Sequence, residues 1–278
     1  MDARTPIEII NFASDLGVIK TQRKVPSLLI LSCFAGVFLG FAAFGSTMAS
    51  HNLLSNPETF GLARLLTGLV FAAGLMMVVL GGGEMLTGNT MIVTSVLDRK
   101  VTVKQMLLNW LLVYIGNLLG GIFISWLISS SGAYLNNNGL LGATTIQIAA
   151  NKTSLPFHSA FLLGILCNWI VCIAIWVSIS SRDLAGKVLA ILFINSLFVM
   201  SGFEHSIANM YYIPAGIFAA NSPQFSALAQ VTTQQLADLN WVNFFAKNLL
   251  PVTLGNIIGG GLMVWTFFWL ALKKKGIS

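Results

Sequence analysis

Six apolar stretches, at about residues 27–50, 62–97, 105–129, 157–180, 188–220 and 241–272, leave this chain few folds to choose from. Each is at least about as long as the 20 residues that a helix needs to cross the hydrocarbon of a bilayer. Lipid offers no partner to backbone N–H and C=O groups, so a spanning segment must bond them internally as a helix or close them into a barrel. A barrel strand alternates apolar and polar residues over about ten positions, whereas these runs are continuous. With 9% of its 278 residues charged and 56% hydrophobic, the chain is also far from the roughly 25% charge of a soluble domain. The expectation is an all-α membrane protein, one domain over residues 1–278, with six transmembrane helices.

Two of the six runs are interrupted. Gly81 to Asn89 breaks the second and Ser201 to Asn209 breaks the fifth, and the second is expected to resume as helix from Met91 to Leu97. The breaks resemble one another: Glu84 precedes Asn89 by five residues, as Glu204 precedes Asn209. The segment from Asn109 through Gly116, Asn117, Gly120 and Gly121 is matched by Asn248 through Gly255, Asn256, Gly259 and Gly260. Each copy, 27–129 and 157–272, holds three spans, and an odd number inverts the second copy across the membrane. Inverted repeats with broken helices meeting near the midplane place a transport site where the breaks meet.

The charges follow a topology. Lys20, Arg23, Lys24, Arg99, Lys100, Lys104, Arg182, Lys187 and Lys273 to Lys275 fall on one side of this scheme, and little beyond Arg64, Lys152 and Lys247 on the other. The positive-inside rule then puts both termini in the cytoplasm of an inner (plasma) membrane protein. It also explains the net charge of +6 without a nucleic-acid partner. Residues 130–156 read as a polar linker between the halves and 221–240 as a polar loop. In residues 1–26, Ile9, Phe12, Ala13 and Leu16 recur at helical spacing, which predicts a short helix lying on the membrane surface. That segment lacks the apolar core and cleavage site of a signal peptide. Cys33, Cys167 and Cys172 lie within apolar runs and read as packing residues; His51 and His158 read as interfacial.

The second break carries the sharpest chemistry, an imidazole beside a carboxylate in an apolar run. Ionisable side chains at that depth are costly and face protein or a water-filled path. A neutral His205 donates a hydrogen bond, and a transiently protonated one hands a proton to a passing weak base. New helix N-termini carry about half a positive charge each and favour an anion. Each residue also has a plainer reading: His205 as a satisfied interhelical histidine, Thr87 as a helix cap, Glu84 and Glu204 as acceptors for backbone the breaks set free. Phe71, Leu75, Leu86 and Phe198 read as core, and Lys152 as solvated surface.

The stretch Ser201-Gly-Phe-Glu-His205-Ser-Ile-Ala-Asn209-Met210, the loop Glu84-Met-Leu-Thr87 and the segment Pro251-Val-Thr-Leu-Gly-Asn-Ile-Ile-Gly-Gly-Gly261 resemble the formate/nitrite transporter family. The resemblance implies a homopentamer of aquaporin-like protomers, each with its own pore for small monovalent anions. It implies His205 as the central pore residue and Thr87 as its hydroxyl partner, with Asn168, Glu204 and Asn209 in the network beside them. Lys152 would face the outer vestibule and Lys20 the inner one, with Phe71 and Phe198 at the outer constriction and Leu75 and Leu86 at the inner. Leu86 stands where formate channels of the family typically have phenylalanine, which inclines the resemblance toward the hydrosulfide branch, with formate and nitrite also carried. No cofactor or metal is implied. An aquaporin-type channel for neutral solutes would show paired Asn-Pro-Ala motifs, and a membrane enzyme would show a His-Glu-x-x-His or nucleophile-elbow motif; the chain has neither.

Overall fold

The computed structural model describes residues 3–54 and 56–273 and is helical throughout, with no strand among them. The terminal Lys274 and Lys275 lie outside the described residues. The chain opens with α1 (Pro6–Thr21), whose start is a capping box: Thr5 Oγ1 accepts from Glu8 N–H, Glu8 Oε2 accepts from Thr5 N–H, and Pro6 fills the first turn. Then come α2 (Val25–Ser50), α3 (Phe60–Gly81), α4 (Leu86–Asn89), α5 (Ile92–Leu97) and α6 (Val103–Ser130). The second half repeats the order, with α7 (Leu140–Thr153), α8 (Phe157–Ser180), α9 (Leu184–Met200), α10 (Ser206–Ala219), two short helices α11 (Pro223–Leu228) and α12 (Thr233–Asp238), and α13 (Trp241–Lys273). Five of these helices are long and apolar enough to cross a membrane, and the α9–α10 pair makes the sixth crossing in two pieces.

Both interrupted spans break in the same way. α3 ends at Gly81 and α9 at Met200, and each is followed by a glycine in the left-handed region, Gly82 at φ 79° and Gly202 at φ 77°. The breaks are shorter than the sequence suggests. Helix resumes at Leu86 and Ser206 because the amide oxygens of Asn117 and Asn256 accept from the Leu86 and Ser206 N–H groups at 3.1 and 2.9 Å. Those asparagines come from α6 and α13, so the cap is invisible in the local sequence.

Small residues set the helix spacing. A Cβ on Gly36 in α2 would lie 2.3 Å from the Asn117 carbonyl oxygen of α6, so the two backbones touch there. In α13 the hydrogen-bond ladder slips to π geometry over Phe244–Leu249 and Ile258–Thr266. The first slip leads into Pro251, which has no N–H to donate.

Four sequence expectations need correction. The linker 130–156 is not a loop: α7 fills half of it and buries Leu141, Ile146, Ala149 and Thr153 against the bundle. The loop 221–240 carries α11 and α12. Ile9 and Ala13 of the N-terminal helix, expected to face the membrane, instead pack with Ile10, Ser14 and Gly17 on α5, while Phe12 is exposed. His51 is buried rather than interfacial, donating from Nδ1 to the Met48 carbonyl at 2.8 Å with Asn137 on its other nitrogen. His158 is exposed.

Candidate functional site

The two breaks meet. Thr87 Oγ1 in α4 and His205 Nε2, at the head of α10, are 3.0 Å apart, and both residues are buried. His205 is the N-cap of α10, and its Nδ1 accepts from the Ala208 N–H at 3.1 Å. A nitrogen that accepts carries no proton, so the neutral ring holds its proton on Nε2 and donates it to Thr87. The threonine O–H is thereby freed to donate elsewhere. The Thr87 carbonyl is held by Thr90 Oγ1 at 2.7 Å and Asn168 Nδ2 at 3.3 Å; Asn168 also donates to the Asn256 carbonyl at 2.7 Å.

Around this seam the halves supply matching frames. Lys20 Nζ lies 2.8 Å from Glu84 Oε2, and Lys152 Nζ lies 2.8 Å from Glu204 Oε1. Asn89 donates to Glu84 and to Asn109 Oδ1 at 2.8 and 2.9 Å; Asn209 donates to Glu204 and to Asn248 Oδ1 at 2.6 and 2.7 Å. Asn109 and Asn248 close the circuits on the carbonyls of Lys20 and Lys152, both at 3.0 Å. Asn117 and Asn256 donate to the Glu84 and Glu204 carbonyls at 2.8 and 3.0 Å. Each carboxylate is thus a staple that ties the break to the lysine of α1 or α7 and to the third span of its own half. The symmetry ends at the side chains that face the seam. Where one break has Thr87 the other has Ile207, and where one has His205 the other has Met85.

A cavity opens on each side, and the two are called outer (beside α7) and inner (beside α1) after the orientation expected from the charge distribution. The outer, of about 410 Å³, is lined by Phe71, Phe198, Lys152, Glu204, His205 and Asn209, among others. Phe71 and Phe198 meet edge to face at 6.0 Å, and Phe198 lies 5.8 Å from the His205 ring. The inner, of about 290 Å³, is lined by Lys20, Arg23, Leu75, Glu84, Met85 and Asn89, among others. Leu86 is buried and lines neither cavity; its neighbour Met85 lines the inner one. Thr87 and Asn168 also line neither cavity and lie buried at the seam.

The sequence reading expected free N–H groups at the new helix starts to receive an anion. The first of these are already occupied, Leu86 N–H by Asn117, Ser206 N–H by Asn256 and Ala208 N–H by His205. The side-chain donors at the seam are the Thr87 hydroxyl and the His205 ring N–H. It also passed over Arg64, which lines the outer cavity, and Tyr212, which stacks on Phe71 at 6.4 Å and shares a 3.1 Å hydrogen bond with Ser46. Asn109, Asn117, Asn248 and Asn256 were visible as a repeated motif, though not as the frame of a site.

A helical bundle with two interrupted spans, a cavity on either face and a donor pair buried between them is a membrane channel or transporter. The profile of the formate/nitrite transporter family matches residues 7–270, and the chain belongs to that family. It is 37% identical over 270 residues to the formate channel FocA of Haemophilus influenzae, covering 95% of this chain and 93% of that protein. It is equally 37% identical over 276 residues to the formate channel FocA of Escherichia coli, covering 99% and 96%. Among solved structures it resembles a pentameric formate channel with formate bound, at TM-score 0.79 and 37% identity, covering 89% of this chain and 97% of that one. These relatives are channels rather than enzymes, and none of the three is named for hydrosulfide.

Proposed function

We propose that the protein passes formate, a small monovalent anion, between the two cavities by way of Thr87 and His205. The observation that carries this reading is the 3.0 Å contact between Thr87 Oγ1 and His205 Nε2, buried at the junction of two cavities that approach from opposite faces. An anion entering from either side exchanges part of its hydration for the threonine O–H, which the His205 N–H bonded to its oxygen leaves free to donate, with Phe71 and Phe198 excluding bulk water on the outer side. Only an ion small enough to shed its shell in so narrow a passage, and carrying one charge, recovers that loss there. The names of the relatives favour formate. Nitrite, with the same charge and similar size, fits the same donors.

Hydrosulfide is the second reading, drawn from Leu86 standing where formate channels of the family typically have phenylalanine. The pentameric form is proposed from the solved relative and from the apolar outward surface of α2, α6 and α13, which includes Phe34, Phe41, Leu111, Leu119 and Leu262. The placement of both termini in the cytoplasm rests on the charge distribution. Uptake into proteoliposomes of formate, nitrite, hydrosulfide and chloride, singly and in competition, tests the whole. Formate flux should exceed chloride flux and be lost in His205→Ala and Thr87→Ala; unchanged flux in both variants would refute the pore assignment. Hydrosulfide outcompeting formate would move the substrate to the second reading.

A further inference from the structure

The outer cavity holds two cations, Arg64 and Lys152, and one carboxylate, Glu204, among its described lining residues. Lys152 is committed, because its ammonium sits 2.8 Å from Glu204 and the pair is close to neutral from a distance. Arg64 has no carboxylate partner among the described residues. Its guanidinium reaches across from α3 to the end of α9, donating from Nε to the Met200 carbonyl at 2.9 Å and from an Nη to the Val199 carbonyl at 2.6 Å. Those carbonyls belong to the last turn of a 17-residue helix, the end that carries about half a negative charge. Without the arginine the Met200 carbonyl would be bare and the Val199 carbonyl held by the Gly202 N–H alone, at 3.0 Å, and that partial charge at the mouth of the cavity would repel an anion. Covered by Arg64, the same end becomes net positive.

Local structure is shaped to admit this contact. Gly202 follows the α9 end at φ 77°, and a Cβ there would lie 3.0 Å from the Arg64 guanidinium. The glycine serves both the left-handed turn and the arginine. The inner half does not repeat the device: at the position equivalent to Arg64 the second repeat has Leu184. The inner cavity carries Arg4, Arg23 and Lys187 besides Lys20; Arg23 lies 3.1 Å from Glu84 itself, and its equivalent position in the outer half is Leu155.

We propose that Arg64 is the charge that draws anions into the outer cavity: a positioning residue that covers the C-terminal carbonyls of α9 and supplies the positive charge that Lys152, paired with Glu204, does not. This deepens the anion-channel reading and rests on it.

The test is permeability at low formate concentration in proteoliposomes, with equal pH on both faces and no membrane potential. Under those conditions flux per unit concentration is the same in either direction, so mixed orientation does not matter. Arg64→Gln keeps amide donors for the carbonyls and removes the charge; Arg64→Lys keeps the charge. Charge-lined clefts raise encounter by about tenfold or more at low ionic strength, so Arg64→Gln should lower permeability about three- to tenfold in dilute buffer. Near 1 M potassium gluconate, where the Debye length is about 3 Å, the gap should close to within about twofold. Arg64→Lys should stay near wild type in both.

A deficit in Arg64→Gln that persists at high salt would assign Arg64 a purely structural role, and wild-type permeability in dilute buffer would remove it from entry altogether. Either result, with His205→Ala and Thr87→Ala still inactive, overturns this inference and leaves the pore intact. Flux that survives all of these variants overturns the pore reading instead.

Discussion

Lys152 Nζ lies 2.8 Å from Glu204 Oε1, and this one contact joins a helix the sequence hid in a linker to the break that carries His205. Glu204 is buried and accepts at the same time from Asn209 and Asn248. Glu204→Ala would strand a largely buried ammonium and two amide donors, and removing one member of a buried pair costs about 3–5 kcal/mol. Glu204→Gln, and the double variant with Lys152→Met, should be milder. Thermal stability of the detergent-solubilised oligomer, followed by size-exclusion chromatography, should rank the variants in that order.

Thr87 offers a sharper contrast between chemistry and shape. Valine preserves its volume and removes the hydroxyl, while serine preserves the hydroxyl. A hydrogen bond to a charged group is worth about 1.5–3 kcal/mol, so Thr87→Val should lower formate flux about ten- to a hundredfold with the oligomer intact. Thr87→Ser should recover most of it. Equal loss in both would mean that packing, not donation, is what the position supplies.

Two glycines should separate contact from mere location. At Gly36 an added Cβ would fall 2.3 Å from the Asn117 carbonyl, and since that atom is backbone the helices must part. Gly36→Ala should cost about 1–3 kcal/mol of stability and reduce the yield of assembled protein. At Gly61 nothing lies within 4 Å of the added methyl, and Gly61→Ala should shift stability by about 0.5 kcal/mol or less.

Asp98 governs the acid limb of α1 docking. Burial raises its carboxyl, but hydrogen bonds from Lys273, Ser14 and Trp269 outweigh this and hold it below the usual carboxylate range. Lys100 is the other charged group beside it, at 3.9 Å. A carboxylate whose folded value is depressed adds stability above its unfolded value, about 3.9, and loses it as pH falls through the still lower folded value. Hydrogen exchange of the α1 amides should therefore stay protected from pH 7 to about 4 and rise below. Asp98→Asn should show faster exchange at neutral pH and a flatter acid limb.

Much of this architecture was legible in residue order. Spans 27–50 and 157–180 fall almost where the helices are, because the demand for about 20 apolar residues is set by bilayer thickness and not by neighbours. Glu84 with Asn89 and Glu204 with Asn209 stood out because a carboxylate five residues from an asparagine, twice, inside apolar runs, is hard to produce by chance. The hidden helix α7 was not legible: its stretch, 130–156, is rich in Ser, Asn, Gly and Thr, and it is packing against α10 that favours the helix. The packing face of α1 was hidden for a similar cause, since nothing in its local sequence shows Gly17 pressed onto Ser95.

What the sequence determined alone was hydrophobicity, the two interruptions and the upside-down repeat, all of which follow from local composition and from counting. What only the tertiary structure decided was which atoms meet: Thr87 with His205, Asn117 with the Leu86 amide, Arg64 with the carbonyls of α9. Such contacts join residues from different spans, and their distances follow from how glycine-spaced helices settle against one another. Packing of that kind is a property of the folded whole, and no stretch of chain carries it alone.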